Sequence, residues 1–208
     1  MPVRCERMIV KPYIGEFYRR KMPLGLTIMI VGESSYDGRR GERLPEDWND
    51  RIVRSFHDYP CDLFLKRALD VFFDVPPIFS EQIAFLETIA FANLVQTDMG
   101  APGQRPRTPD WIEAQAAFEY YLIQFRPQFV LVVGRDLWRS LPSKHRTEHT
   151  SVRIGNDEMP AYLYPNDAGY AFVFGMKHTS RSWRHRDLRP WAKAAVESAL
   201  RFHNLQQT

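Results

Sequence analysis

Short apolar runs alternate along the chain with longer segments of helical periodicity. The runs are rich in β-branched and aromatic residues and end abruptly, which is typical of strands buried on both faces of a sheet. Four such strands are predicted: Leu26–Val31, Ile89–Val95, Phe129–Val133 and Tyr170–Gly175.

The segments between and after these runs predict helices. Apolar residues recur with a helical period in Cys61–Phe73 and Pro109–Phe125, and Asp187–Phe202 completes the set. Strands that alternate with helices predict an α/β fold, a three-layer α/β/α sandwich with a mostly parallel, four-stranded central sheet. Ligand-binding groups are then expected at the carboxyl ends of the strands.

Two further segments have their own patterns. A hairpin is predicted from Ser151–Ile154 and Ala161–Tyr164, because turn-forming residues separate these two short candidate strands. Prolines and basic residues crowd Gly100–Pro109, which predicts a surface loop.

Composition sets the scale of the fold. A chain of 208 residues with 44% hydrophobic content supports one sizeable core, so residues 1–208 are expected to form a single domain. The 28 Lys and Arg against 25 Asp and Glu leave a net charge of only +3, so a surface that binds polyanions must come from local clustering.

The two cysteines, Cys5 and Cys61, are too few for a disulfide framework or a four-cysteine metal site. Because no export signal or membrane span is evident either, we expect a metal-free cytoplasmic protein with no membrane partner.

Polar side chains follow each predicted strand. The first strand runs into Gly32-Glu33-Ser34-Ser35-Tyr36-Asp37, and Asn93 lies near the end of the second. The third ends at Gly134, before a predicted helix whose free N–H groups would suit an anion. The fourth is followed by the basic and aromatic segment 177–186.

The order of these segments resembles the uracil-DNA glycosylase superfamily from about Thr27 to Trp191. Gly32-Glu33-Ser34-Ser35-Tyr36 is similar to the family's Gly-Gln-Asp-Pro-Tyr or Gly-Glu-Ala-Pro-Gly loop. Asn93 matches an asparagine within an apolar run, and His178-Thr179-Ser180-Arg181-Ser182-Trp183 resembles the family's His-Pro-Ser-Pro-Leu-Ser motif. The resemblance implies the family's fold and cleavage of the bond between deoxyribose and a flipped-out base, such as uracil, in DNA repair.

The resemblance also implies roles for single residues. His178 would stabilise negative charge on the departing base, and Asn93 would bind the base's Watson–Crick edge. Ser34 replaces the aspartate of the most active relatives, which leaves Glu33, with Asp37 second, as the candidate for activating water. Tyr36 would exclude the methyl group of thymine, and Gly32 and Ser34 would complete the base site.

Contacts to DNA are expected from the segment after the last strand, where Trp183 is the candidate wedge for the vacated base stack. The DNA-binding candidates are Lys177, Ser180, Arg181, Ser182, Trp183 and Arg184. Several relatives hold an iron–sulphur cluster on four cysteines, and the two cysteines here cannot ligate one. We therefore expect a monomer without cofactors that binds DNA containing deaminated bases.

Two alternatives stay open. The chain can be a glycosylase-like nucleic-acid-binding protein with weak or no activity, as the serine at position 34 suggests. It can also be an unrelated α/β hydrolase that uses Ser34 or Ser35 as nucleophile with His178 as base, although it has no Gly-x-Ser-x-Gly motif.

Overall fold

The computed structural model of the protein describes residues 9–59, 63–143, 148–177 and 185–206. Within these ranges seven strands and six α-helices form an α/β fold. The strands are β1 Tyr13–Ile14, β2 Ile28–Gly32, β3 Ala90–Asn93, β4 Phe129–Val133, β5 Glu148–Ile154, β6 Asp157–Asn166 and β7 Gly169–Met176. The helices are α1 Trp48–Asp58, α2 Leu63–Asp70, α3 Phe79–Leu86, α4 Thr108–Phe125, α5 Arg135–Ser140 and α6 His185–Leu205.

The strands form one mixed sheet in the order β1-β3-β2-β4-β7-β6-β5. The four strands predicted from the sequence lie side by side as β3, β2, β4 and β7, and each neighbouring pair among them is parallel. The prediction of a four-stranded sheet is wrong, because β1 pairs antiparallel with β3 and the β5–β6 hairpin extends the other side through β7. The α/β class is confirmed.

The predicted hairpin belongs to this sheet rather than lying apart from it. Its turn is formed by Gly155 and Asn156, and Asp157 already pairs with Ile154 as the first residue of β6. The hairpin extends the sheet because β6 pairs with β7 from Gly169 to Phe174.

Two apolar cores lie on opposite faces of the sheet, as the alternation of side chains along each strand requires. Ile28 and Ile30 of β2 face the core covered by α1, α2, α3 and α6. Met29 and Val31 face the core covered by α4 and α5. This two-sided cover explains why the parallel strands have continuous apolar sequences.

The carboxyl ends of the four parallel strands meet at one edge of the sheet. Gly32 at the end of β2 is in register with Asn93 on one side and with Val133 on the other, and Val133 is in register with Met176 of β7. The described loops that follow β2, β3 and β4 therefore begin next to one another. No helix within the described ranges has both the length and the apolar composition that crossing a bilayer requires.

Candidate active site

A cleft of about 750 Å³ lies at the carboxyl ends of β2, β3 and β4. Its described lining comes from the loop after β2, from α1, α2 and β3, from the loop before α4, and from α5. One part of this lining is aromatic and the other is polar and charged. The lining residues are Glu33, Ser34, Ser35, Tyr36, Trp48, Ile52, Phe64, Phe91, Asn93, Pro102, Gly103, Arg105, Gly134, Arg135, Asp136 and Arg139.

Gly32 makes room for the side chain of Asn93. A Cβ at position 32 would collide with Asn93 Oδ1 and would lie 2.7 Å from Cζ of Phe64. The φ angle of Gly32 is not in the left-handed region, so its requirement for glycine is steric. Gly32 at the end of β2 therefore leaves the space that the side-chain amide of Asn93 on the neighbouring strand occupies.

Asn93 is held from two sides. Its backbone N–H donates to Asn49 Oδ1 at 2.9 Å, and its Nδ2 donates to Ser35 Oγ, also at 2.9 Å. Asn49 is fully buried and donates in turn to the carbonyl of Lys11 at 2.7 Å. No donor among the described residues reaches Asn93 Oδ1.

Glu33 is a buried carboxyl at the wall of the cleft, with 6% of its surface exposed. Burial raises the pKa of this carboxyl above its usual range, the charge of Arg105 opposes that rise, and the charge of Asp136 adds to it. Arg105 Nη1 lies 3.6 Å from Glu33 Oε1 and 3.1 Å from Asp136 Oδ2. A buried carboxyl with a raised pKa in a cleft is suited to accept a proton.

The loop after β2 is fixed by Asp98, which is 1% exposed. Its carboxylate accepts hydrogen bonds from the backbone N–H groups of Asp37 at 2.9 Å, Arg39 at 2.6 Å and Gly100 at 2.7 Å. Burial alone would raise the pKa of Asp98, but these three donors outweigh burial and hold the pKa below its usual range. The buried carboxylate of Asp98 therefore holds the backbone of the loop that carries Glu33, and we call this set of hydrogen bonds the Asp98 clasp.

The aromatic part of the cleft is formed mainly by Trp48, Phe64 and Phe91. The Phe64 and Phe91 rings are 6.3 Å apart between centroids, with a tilt of 53° between their planes. Trp48 Nε1 is buried and has no hydrogen-bond partner among the described residues. Flat apolar surfaces of this kind suit a planar ring in a ligand.

The predicted base-binding set and the catalytic candidate Glu33 are brought together. Glu33, Ser34, Tyr36 and Asn93 all line the cleft, and Gly32 lies directly behind the amide of Asn93. The Ser34 hydroxyl donates to the hydroxyl of Tyr36 at 3.2 Å. Two strand ends that are 61 positions apart in the chain therefore contribute to one site.

Two other predicted residues do not line the described part of the cleft. Asp37 is ion-paired with Arg39, whose Nε donates to Asp37 Oδ2 at 3.1 Å, and its carboxylate is exposed. Lys177 is exposed just after β7. The catalytic candidate His178 and the DNA-binding candidates Ser180, Arg181, Ser182, Trp183 and Arg184 lie outside the described residues.

Sequence reasoning missed four polar residues of this region. Asn49 and Asp98 act through backbone N–H groups far away in the chain, and Arg105 and Asp136 join loops that follow different strands. Asp136 follows the recognised turn at Gly134, so its position after a strand was the available signal. For Asn49, the signal was a polar residue in the helical pattern of Asn49, Val53 and Phe56, all of which are buried.

Within the described ranges, no three histidine, cysteine, aspartate or glutamate side chains are grouped as metal ligands would be. Comparison of the chain with protein-family models gave no match, and comparison with curated proteins gave none either. The chemistry of the cleft is therefore argued from its own residues.

Proposed function

We propose that this cleft hydrolyses the N-glycosidic bond of uracil or another deaminated base that has been flipped out of DNA. The main support is the convergence of Glu33 and Asn93 on one cleft that also has an aromatic wall. A flipped base needs a surface for stacking and polar groups for its edge, and hydrolysis needs a base for water. The resemblance to uracil-DNA glycosylases assigns the same residues.

Asn93 is the group proposed to bind the edge of the base. A carboxamide offers a donor and an acceptor side by side, which matches a uracil carbonyl next to a ring N–H. The Ser35 hydroxyl can donate or accept, so it can hold either orientation of this amide. Cytosine would leave one of the paired groups mismatched, which is the basis expected for its rejection.

Glu33 is proposed to act as the general base. Water attacks C1′ of the deoxyribose, its proton passes to Glu33, and the C1′–N bond breaks with both electrons leaving on the base. Proton transfer of this kind contributes roughly 10²–10⁴ in rate. Because the pKa of Glu33 is raised by burial, base release should fall on acidification at a pH above the usual glutamate range.

His178 is proposed to stabilise the departing base anion, a role typically worth about 3 kcal/mol of the barrier. It follows the end of β7 at Met176, and Met176 is in register with Val133 at the edge of the sheet where the cleft lies. This topology supports the proposed role.

The serine hydrolase alternative has less support. Ser34 donates to Tyr36, and Ser35 accepts from Asn93. The chain also has no Gly-x-Ser-x-Gly motif, which is typical of serine hydrolases with this class of fold.

The test is incubation with oligonucleotides that contain uracil, hypoxanthine or xanthine, followed by alkali and gel analysis of abasic sites. Glu33→Gln, Asn93→Ala and His178→Ala should each reduce cleavage by roughly 10²-fold or more. Glu197→Gln, which changes an exposed carboxylate of α6, is the matched control and should cleave like the unchanged chain.

The two alternatives predict different results in this assay combined with measurements of oligonucleotide binding and of labelling by a serine-directed phosphonate. Binding of the oligonucleotides without release of any base would support the binding protein. Covalent trapping by a serine-directed phosphonate would support the hydrolase. Cleavage that persists in all three variants would refute the assignment of the site.

A further inference from the structure

Glu33 and Asp136 both line the cleft, and Arg105 contacts the carboxylates of both. The three residues come from different segments: Glu33 from the loop after β2, Arg105 from the loop between β3 and α4, and Asp136 from α5. A single nitrogen of Arg105, Nη1, contacts both carboxylates.

We infer that Arg105 is a positioning residue for Glu33, which holds the buried carboxylate at the wall of the cleft by bridging it to Asp136. This inference rests on the proposed function for its purpose, because only a reaction that uses Glu33 as a base needs such control. Nothing in the sequence resemblance assigned a role to Arg105 or Asp136.

The unequal exposure of the three side chains supports this role. The Glu33 side chain is 6% exposed, whereas those of Arg105 and Asp136 are 66% and 44% exposed. An ion pair between exposed groups contributes little to the stability of a fold, so stabilisation does not account for the contact between Arg105 and Asp136. The ionisation of a buried carboxylate such as Glu33, in contrast, depends strongly on the few charged groups next to it.

The contact distances indicate which carboxylate anchors Arg105. The guanidinium lies 3.1 Å from Asp136 and 3.6 Å from Glu33, so Asp136 holds it more closely. The looser contact still places a positive charge next to Glu33. The positive charge of Arg105 favours the ionised form of Glu33. Because only one nitrogen of Arg105 approaches Glu33, the carboxylate is not held in a bidentate ion pair and can still accept a proton.

The charged groups around Glu33 act in opposite directions. Arg105 lowers the pKa of Glu33, while burial and the charge of Asp136 raise it. Arg135 and Arg139 of α5 also line the cleft. Removal of Arg105 should therefore move the pKa of Glu33 further upward, because burial and Asp136 would remain without the opposing charge.

The experiment is an NMR titration of carboxyl-¹³C-labelled glutamate in the full chain, with the Glu33 signal assigned by its loss in Glu33→Gln. Arg105→Ala and Arg105→Gln should both give a higher Glu33 midpoint than the unchanged chain. Arg105→Lys keeps the charge and should return the midpoint toward the original value. Arg139→Ala, an arginine removed from the same cleft, is the matched control and should leave the midpoint close to that of the unchanged chain.

A Glu33 midpoint that is unchanged or lowered in Arg105→Ala and Arg105→Gln would overturn the inference. Thermal unfolding of each variant checks that the fold is retained, which the exposure of Arg105 favours. Because the titration requires no substrate, its outcome is independent of base release. If bases are released, the acidic limb of kcat/KM in Arg105→Gln should move in the same direction as the Glu33 midpoint.

Discussion

Gly32 and Asn93 are register partners on neighbouring parallel strands, and the amide oxygen of Asn93 occupies the space that a side chain at position 32 would need. The glycine and the asparagine are therefore one structural unit. A change at position 32 would act on the site by displacing the amide that faces the cleft.

We expect Gly32→Ala to lower the free energy of unfolding by roughly 1–3 kcal/mol, the usual cost of overpacking. Under the proposed function it should also reduce base release by about 10²-fold, because a displacement of about 1 Å misplaces Asn93. Urea unfolding and the alkali cleavage assay measure the two effects.

The double variant tests whether the two residues act as one unit. In an Asn93→Ala background, Gly32→Ala should cost less stability than it does alone, because the amide that it would strike is gone. Strictly additive costs would contradict the steric coupling.

Asp98 provides a prediction that is independent of the proposed function. Asp98→Asn should lower the free energy of unfolding at pH 7 by at least roughly 1.5–3 kcal/mol, the contribution of one hydrogen bond to a charged group. In the wild-type chain both carboxylate oxygens of Asp98 accept from backbone N–H groups. An asparagine side chain has only one oxygen, and its NH2 group donates and cannot accept. Asp58→Asn, at an exposed aspartate, serves as the control.

The pH dependence of this difference follows from the lowered pKa of Asp98. The stabilisation is fully present above the pKa of an unfolded aspartate, about 3.9, and is lost as the pH falls through the lower folded value. The gap in stability between the unchanged chain and Asp98→Asn should therefore be constant from about pH 7 to pH 5 and should narrow below about pH 4. A stability difference that increases on acidification would contradict the role of the ionised Asp98 carboxylate in the Asp98 clasp.

The sequence predicted the four central strands and the β5–β6 hairpin but missed the short edge strand β1. The central strands are buried on both faces, so their sequences are apolar without interruption. β1 contains only Tyr13 and Ile14, which is too short for any period to appear, and it exists because it pairs with Phe91 and Ala90. Tertiary pairing rather than local pattern creates this strand.

The sequence predicted those residues of the candidate site whose polar side chains lie at the end of a strand or directly after it. Glu33 and Asn93 stand at strand ends, so the rule for parallel sheets was enough to bring them together. Asp98 was beyond reach, because its N–H partners at Asp37 and Arg39 are 61 and 59 positions away and lie on a loop without a repeating pattern. α1 was missed because polar and charged residues make up most of its sequence, although its buried Val53 and Phe56 follow a helical spacing.

Under the proposed function, Arg135 and Arg139 are expected to contact DNA phosphates. They are four positions apart on α5, which places them on one helical face, and both line the cleft. No acidic side chain among the described residues pairs with either of them. Each phosphate contact that is lost should reduce the slope of log binding constant against log salt by about 0.7–0.9.

Fluorescence anisotropy with a labelled oligonucleotide at several salt concentrations measures this slope. Arg135→Ala and Arg139→Ala should each flatten it, and the double variant should flatten it further. Arg201→Ala, which removes an exposed arginine of α6 outside the lining of the cleft, should leave the slope as it is. A slope that is the same in all variants would exclude phosphate contacts at α5.

Under the proposed function, Tyr36 is expected to set the preference for uracil over thymine. It lines the cleft, and its hydroxyl accepts a hydrogen bond from Ser34 at 3.2 Å. Exclusion of one methyl group by packing is worth about 1–3 kcal/mol, so Tyr36→Ala should improve cleavage of thymine relative to uracil by roughly 10-fold or more. Tyr36→Phe keeps the ring and should keep most of the preference, losing only what the Ser34 hydrogen bond contributes. Competition assays with mismatched thymine and uracil substrates give the ratio directly, and equal ratios in Tyr36→Ala and the unchanged chain would show that the methyl group meets another part of the cleft.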